Sequence, residues 1–400
     1  MYDWFLEAHM YESFETLDVV KLTSEMVAIK SYSFMDNQEE EISQYILDFF
    51  LANDIKAYRK EITPGRYNTF AVLEGTNSKN HPSLLLTGHM DTVPAYDFEK
   101  AFEPWEDEEY VYGRGACDMK GPLACMMWAM ATIKKSGTKL KGDLIFCGVA
   151  DEEEAGIGTA NLIETGPEAT YSIIGEPSTM NIDLGHKGLE WIEVSFKGKK
   201  VHGGAQKDGV NAIMMASRFI HKLETEYLPK LATRTHPILG EATLNIGTIT
   251  GGDQPSTVPD HCSLRLDRRC LTSETIKQVY SELQQLIDEL HQEDPKFEAE
   301  IKDVFNGETL PHIPFCTDES SGVVVAAKAA LIKNGITPVL SRFPAWSDAG
   351  FMSAGTNSQC IIMGPGDLTL AHSIHEKIGK QELIDGANIY MDIALAICQD

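Results

Sequence analysis

Ser83-Leu84-Leu85-Leu86-Thr87-Gly88-His89-Met90-Asp91 is a short apolar run that ends in an imidazole and a carboxylate. Three further stretches repeat the pattern: Leu144 to Val149 before Asp151-Glu152-Glu153-Glu154, Tyr171 to Ile174 before Gly175-Glu176, and Gln359 to Met363 before Gly364-Pro365-Gly366, with His372 a little further on. Apolar runs without alternation read as strands buried on both faces, the habit of a parallel sheet covered by helices. Ligands of such sheets bind at the carboxyl ends of the strands. His89, Asp91, Asp118, Glu152, Glu153, Glu176 and His372 are therefore predicted to gather at one edge, and imidazole with several carboxylates suits one or two divalent metals.

A chain of 400 residues is too long for one comfortable core, so two domains are expected. With 34 basic against 60 acidic side chains the formal charge is -26, a field that repels nucleic acid and anionic membrane surfaces and points to small molecules and metal ions as partners. The eight cysteines form no CxxC pair and sit largely in apolar runs, where a free thiol is a small buried hydrophobe, so a reducing compartment is expected. Met1 to Val20 lacks a basic start followed by an apolar stretch, and nowhere do about 18 apolar residues run together. The expectation is a cytoplasmic protein.

The opening third alternates helix and strand patterns: helices over Leu17 to Ile29 and Glu39 to Asn53, strands over Thr69 to Leu73 and Leu84 to Thr87, and a helix over Leu123 to Lys135 with Pro122 in its first turn. From Leu189 the character changes. Leu189 to Phe196 alternates as a strand with one wet face, followed by a helix from Asn211 to Glu226, strands over Ala242 to Ile249 and Cys262 to Leu266, a helix from Ser273 to Leu290 and a strand from Lys296 to Phe305. That order is βαββαβ, the split ferredoxin-like arrangement, and it can fold as an inserted domain. The parallel pattern resumes after Pro311 with a helix from Ser321 to Lys333 and strands at Pro338 to Ser341 and Gln359 to Met363. The expected fold class is thus an α/β sandwich with a mainly parallel sheet, residues 1–187 and 309–400, carrying a ferredoxin-like insertion over residues 188–308.

His89 and Asp91 are two apart and face the same side of an extended segment. Asp91 either holds metal or orients another group, since ligating histidines commonly need a carboxylate to fix the tautomer. Asp118 lies in the glycine-punctuated stretch Tyr112-Gly113-Arg114-Gly115-Ala116-Cys117-Asp118-Met119-Lys120-Gly121, whose spacing fits neither a Walker A loop nor a dinucleotide fingerprint. Adjacent carboxylates at Glu152 and Glu153 leave a strand on opposite sides, so that one can bind metal while its neighbour accepts a proton. Pro177 pushes Glu176 toward an extended conformation. Two cations about 3.5 to 4 Å apart, bridged by one carboxylate, polarise a carbonyl and supply hydroxide near neutral pH, which is hydrolase chemistry.

These blocks resemble the M20 metallopeptidases, the group of acetylornithine deacetylase, succinyl-diaminopimelate desuccinylase, aminoacylase-1 and glutamate carboxypeptidase. The resemblance rests on Gly88-His89-Met90-Asp91-Thr92-Val93-Pro94, Tyr112-Gly113-Arg114-Gly115 with Asp118-Met119-Lys120-Gly121, Asp151-Glu152-Glu153, Ile174-Gly175-Glu176-Pro177, and Gly364-Pro365-Gly366 followed by Ala371-His372 and Glu376. It implies that Asp118 bridges two ions, that His89 and Glu176 complete one and Glu153 and His372 the other, that Asp91 orients His89, and that Glu152 is the general base. His375 competes for the ligand role in spacing, and the family pattern favours His372. In the family the inserted domain pairs two subunits, and a histidine from it reaches the partner's site to stabilise the oxyanion, which implies His202 in Gly198-Lys199-Lys200-Val201-His202. Asp267-Arg268-Arg269 resembles the family's Asp-x-Arg and makes Arg269 the clamp for a substrate carboxylate. The chain departs from its relatives at Gly203-Gly204-Ala205, where a serine is usual, and at Ser256 and Thr257, where an asparagine is common.

The expected protein is a homodimeric amidohydrolase with two divalent ions, zinc foremost and cobalt or manganese as substitutes, that removes the acyl group from an N-acyl amino acid. A dipeptidase or carboxypeptidase acting on short peptides is the alternative within the family. A non-catalytic metal-binding scaffold would have lost Glu152 while keeping the ligands, and this chain keeps both.

Overall fold

The computed structural model describes Phe14, residues 16–304 and residues 311–399. The chain divides into two compact units, one comprising the residues up to Gly185, Thr317–Phe343 and the residues from Ser347, the other His186–Cys316 with Pro344–Trp346. The expected strand end at Phe305 and the expected return boundary between residues 308 and 309 lie outside the described residues, as do the first residues of the stretch examined for a targeting signal.

In chain order the main elements are α1 Val19–Ala28, α2 Glu40–Ala52, β1 Lys56–Thr63, β2 Arg66–Leu73, β3 Leu84–His89, α3 Gly121–Ser136, β4 Leu144–Val149, β5 Tyr171–Ile174 and β6 Ile182–Asp183. In the second unit they are β7 Gly188–Lys197, α4 Ala212–Lys222, β8 Thr243–Gly251, β9 His261–Cys270, α5 Ile276–Glu293 and β10 Ala299–Asp303. The first unit resumes with α6 Gly322–Lys333, β11 Leu340–Ser341, β12 Gln359–Ile362 and α7 Lys380–Cys398.

The large sheet runs β1-β2-β4-β3-β5-β12-β6-β11. Its centre, β4-β3-β5-β12, is parallel, as the unbroken apolar runs require, and every residue of β3 and β4 is buried. The departures from parallel lie toward the flanks: β1 and β2 form an antiparallel hairpin, β2 joins β4 antiparallel, and β6 meets β12 antiparallel. Register aligns the exits. His89 is level with Val149, Thr87 with Ile174, and Ile174 with Ile362, so the residues that follow these strands emerge along one edge.

Helix α3 is buried on nearly all sides, which explains its weak amphipathic signal; Pro122 sits in its first turn and Gly137, at φ 72°, closes it in the left-handed conformation. Helix α7 packs against both α3 and α6. Helix α1 starts at Asp18, whose carboxylate accepts the Val20 and Lys21 N–H groups.

The second unit has the antiparallel order β8-β9-β7-β10, the ferredoxin-like arrangement expected from its βαββαβ sequence. Alternate residues of β7 and β9, among them Ile192, Val194, Phe196, Leu264 and Leu266, meet Phe219 of α4 and Leu283 of α5 in one core. Asn211 and Thr275 cap the two helices through the N–H groups of Met214 and Gln278. The helical pattern read as far as Glu226 ends as α-helix at Lys222 and continues as a π-helical turn, Leu223–Tyr227.

Candidate metal centre

The carboxyl ends of β3, β4 and β5, the turn before α3 and the segment beyond β12 bring together a cluster that is largely buried, with His372 on its exposed side. His89 closes β3 and is 1% exposed. Its Nε2 lies 3.1 Å from Asp118 Oδ1, and 4.0 Å from Glu176 Oε1 beyond β5. On the far side of Asp118, His372 Nε2 lies 3.3 Å from Oδ2 and 3.0 Å from Glu153 Oε1. Asp118 thus presents one carboxylate oxygen to each histidine. Two overlapping groups, His89 with Glu152 and Glu176, and His89 with Asp118 and Glu153, have donor atoms all within 4.8 Å of one another.

Asp118 stands in the turn before α3. Gly115 enters it at φ 87°, a left-handed conformation open to glycine, and the Asp118–Met119 peptide is cis. The turn is gripped by Glu376, whose Oε1 accepts the N–H groups of Gly115 at 2.8 Å and of Cys117 and Asp118 at 3.3 Å each, while its other oxygen pairs with the buried guanidinium of Arg114. Close approach fixes the other side: a Cβ on Gly88 would sit 1.9 Å from Met119 Cε.

Asp91 was expected to orient His89 through its carboxylate. The ring instead meets the Asp91 backbone carbonyl, at 2.9 Å from Nδ1, with the nearer carboxylate oxygen 3.8 Å away. The carboxylate faces the next strand exit, where its two oxygens accept the Glu152 N–H at 3.2 Å and the Glu153 N–H at 3.1 Å. One residue therefore sets both the histidine, through its main chain, and the acidic turn, through its side chain.

The electrostatics of the cluster call for cations. Burial, reinforced by the charge of Asp118 and opposed by His89, pushes Glu176 up to about 8, and burial pushes Glu152 well above the carboxylate range. Burial likewise raises Asp91 to about 8. Hydrogen bonds that its ring donates to Asp118 and Glu153 hold His372 up to about 10. So many carboxyl groups cannot all ionise in one dry space unless positive charge is supplied, and Glu176 Oε1 is buried with no hydrogen-bond partner. Oxygen and imidazole donors without thiolate fit zinc, cobalt or manganese.

His375 is exposed; with Phe98, Trp105, Tyr112, Leu370, Ile374 and Lys377 it lines a cavity of about 550 Å³. His202 and Arg269 lie in the second unit. His202 is exposed and accepts the Gly204 N–H at Nδ1, 3.1 Å, which leaves the proton on Nε2 as a donor. Arg269 uses its side-on edge, Nε and Nη2, on Asp267 at 2.7 and 3.0 Å, and Asp267 also accepts the Trp191 indole N–H.

Sequence reading missed the supporting groups: Arg66 and Asn68 on β2, Asp348, and the role of Glu376. Asp348 is buried, accepts the Thr159 hydroxyl at 2.6 Å, and is pushed by burial, against that hydrogen bond, up to about 6.

Fold and cluster together define a metal-dependent hydrolase, with its candidate ligands at the carboxyl edge of a mainly parallel sheet. The chain belongs to Peptidase family M20/M25/M40, which it matches over residues 85–396, and it is an amidohydrolase of that family. It is 26% identical over 409 residues, covering 95% of each chain, to N-formyl-4-amino-5-aminomethyl-2-methylpyrimidine deformylase of Bacillus subtilis. To acetylornithine deacetylase of Myxococcus xanthus it is 29% identical over 391 residues, covering 92% of this chain and 95% of the other. Its fold matches that of aminopeptidase PepT from Bacillus cereus with a TM-score of 0.80 at 22% identity, covering 95% of this chain and 98% of that one. No helix among the described residues is long and apolar enough to cross a membrane.

Proposed function

We propose that the protein hydrolyses the amide bond of an N-acyl amino acid, with two divalent ions held by His89, Glu176 and Asp118 on one side and by His372, Glu153 and Asp118 on the other. The observation that carries this is the split of Asp118, one oxygen toward each histidine. Bound there, the ions, zinc foremost, would polarise the scissile carbonyl and make water a stronger nucleophile. Glu152 sits among the donors next to His89 and Glu176, accepts a proton from the attacking water and returns it to the leaving amine. His202 would offer its Nε2–H to the oxyanion of a neighbouring copy, and Arg269 its Nη1 end to a substrate carboxylate.

A homodimer fits this reading. Strand β8 is the edge of its sheet, nine residues long with Ile249 exposed, and Ile213 and Met214 of α4 are exposed as well. All eight cysteines are free thiols, in keeping with a cytoplasmic protein.

The deformylase relative favours a second reading, in which the leaving amine is carried on a heteroaromatic ring. The cavity lined by Phe98, Trp105 and Tyr112 draws Leu370, Ile374 and His375 from the segment that bears His372, and would stack such a ring. The test is hydrolysis by chelator-stripped protein, before and after adding zinc, cobalt or manganese. The panel holds N-acetyl and N-succinyl amino acids, dipeptides and an N-formyl aminomethylpyrimidine. Metal-restored cleavage of the N-acyl amino acids is expected; preference for dipeptides or for the pyrimidine would replace that substrate class.

A further inference from the structure

We propose that Arg66, with Asn68 beside it, is a positioning residue for the turn that carries Glu152 and Glu153; this rests on the metal-site reading above. The two lie two apart on β2 and so point to the same side of the strand. Asn68 is fully buried and clips both ends of the turn, its Oδ1 accepting the Ala150 N–H at 3.1 Å and its Nδ2 donating to the Gly158 carbonyl at 2.8 Å. Between these clips Asp151 adopts φ 69°, a left-handed conformation that a side chain with a Cβ disfavours. Arg66 pairs with it there: Nη1 lies 2.8 Å from Asp151 Oδ1, an ion-pair contact to a buried oxygen that makes no hydrogen bond among the described residues. The opposite edge of the same guanidinium forks onto Glu39, with Nε 2.7 Å from Oε2.

Glu39 and Asp151 are 0% and 2% exposed, so one planar cation serves two buried carboxylates from two directions, a task that the single ammonium of lysine cannot reproduce. The next two residues past Asp151 then present their N–H groups to the Asp91 carboxylate. Neither Arg66 nor Asn68 touches the side chain of Glu152 or Glu153 through any hydrogen bond or ion pair among the described residues. The influence passes through the main chain: β2 fixes Asp151, Asp151 fixes the turn, and the turn aims Glu153 at His372 and Glu152 at His89. The rival explanation is purely structural, that Arg66 only neutralises two buried charges.

The test compares Arg66→Met with the triple variant Glu39→Gln/Arg66→Met/Asp151→Asn, in which no buried charge is left unpaired and asparagine tolerates the left-handed backbone. Chelator-stripped protein is titrated with Co²⁺, reading the visible absorption of each binding step, and the urea midpoint is measured in parallel, with kcat and KM on N-acetyl-L-ornithine. Arg66→Met should lower the midpoint and weaken the Co²⁺ step served by Glu153 by about 10- to 100-fold. The triple variant should regain the midpoint yet keep the weakened Co²⁺ step, with kcat depressed and KM unchanged. Recovery of Co²⁺ affinity together with stability would establish the neutralising role and overturn the proposal, as would wild-type Co²⁺ binding in Arg66→Met. If Arg66→Met fails to fold, the triple variant decides alone. Wild-type protein that takes up two Co²⁺ but cleaves nothing would refute the substrate class and leave the Co²⁺ comparison intact; wild-type protein that takes up none would remove both.

Discussion

Replacing Glu376 by glutamine tests how the Asp118 turn is held. The carboxylate is 0% exposed and its partner Arg114 is 1% exposed, so the substitution leaves a guanidinium in a dry site without its counter-charge. Breaking a buried pair from one side costs about 3–5 kcal/mol. Glutamine keeps one carbonyl oxygen that can still accept the Gly115 N–H, now at 2.8 Å, and this places the expected loss near the lower end, about 3 kcal/mol. Removing the orphaned cation as well, in Arg114→Met/Glu376→Gln, should recover more than half of that loss, because the penalty comes from the unpaired charge and not from a missing attraction. The assay is urea unfolding of chelator-stripped protein by tryptophan fluorescence, comparing wild type, both single variants and the double variant. A Glu376→Gln loss under about 1 kcal/mol, or a double variant as unstable as the sum of the singles, would refute the account. The metal-loaded proteins add a second readout: with the Asp118 N–H less firmly gripped, zinc affinity should fall about 10- to 100-fold.

Three further outcomes follow from the geometry. Glu152→Gln should retain the metal content of the wild type by elemental analysis while losing turnover by about 10²–10⁴-fold; retained turnover would remove Glu152 from the base role. Gly88→Ala forces a Cβ onto Met119 Cε and should lower stability by about 1–3 kcal/mol, with Met119→Ala in the same chain restoring part of it in the urea midpoint. Asp183 is raised from 3.8 to about 6 by burial, against the hydrogen bond from the Ser341 hydroxyl. A raised folded-state value means its contribution is present below about pH 4 and lost as pH rises through 6, a span of about 3 kcal/mol at 1.36 kcal/mol per unit. Asp183→Asn should therefore match wild type near pH 4 and exceed its stability at pH 8; equal midpoints at both pH values would contradict the shift.

The centre of the fold was legible because β3, β4 and β5 are short apolar runs flanked by glycine and acidic residues, a pattern that only a doubly covered strand needs. Lys56–Thr63 was not, since an edge strand alternates charged with half-buried residues and resembles an exposed loop. Helix α7, Lys380–Cys398, was missed because its start lacks a side-chain cap and its apolar residues spread around the helix. In the site, His89, Glu153 and Glu176 stood out as candidate ligands because they close or closely follow strands, and Asp118 because of its glycine-punctuated turn before α3. Arg66, Asn68 and Asp348 carry no such positional mark: their importance comes from contacts with residues 27 to 189 positions away, which local pattern cannot encode. Asp91 was placed correctly at the strand exit, but its carboxylate serves the acidic turn, a division between main chain and side chain that residue type alone does not reveal.

The proposed ligands come from both sides of the second unit: His89, Asp118, Glu153 and Glu176 precede it, and His372 follows it nearly two hundred residues after Glu176. During synthesis at about 5–20 residues per second, the first four would wait roughly 10–40 s for the fifth to leave the ribosome. Assembly of the proposed centre would therefore wait for the segment that carries His372, so that any ion held between His372 and Glu153 would be bound only after the second unit has been synthesised.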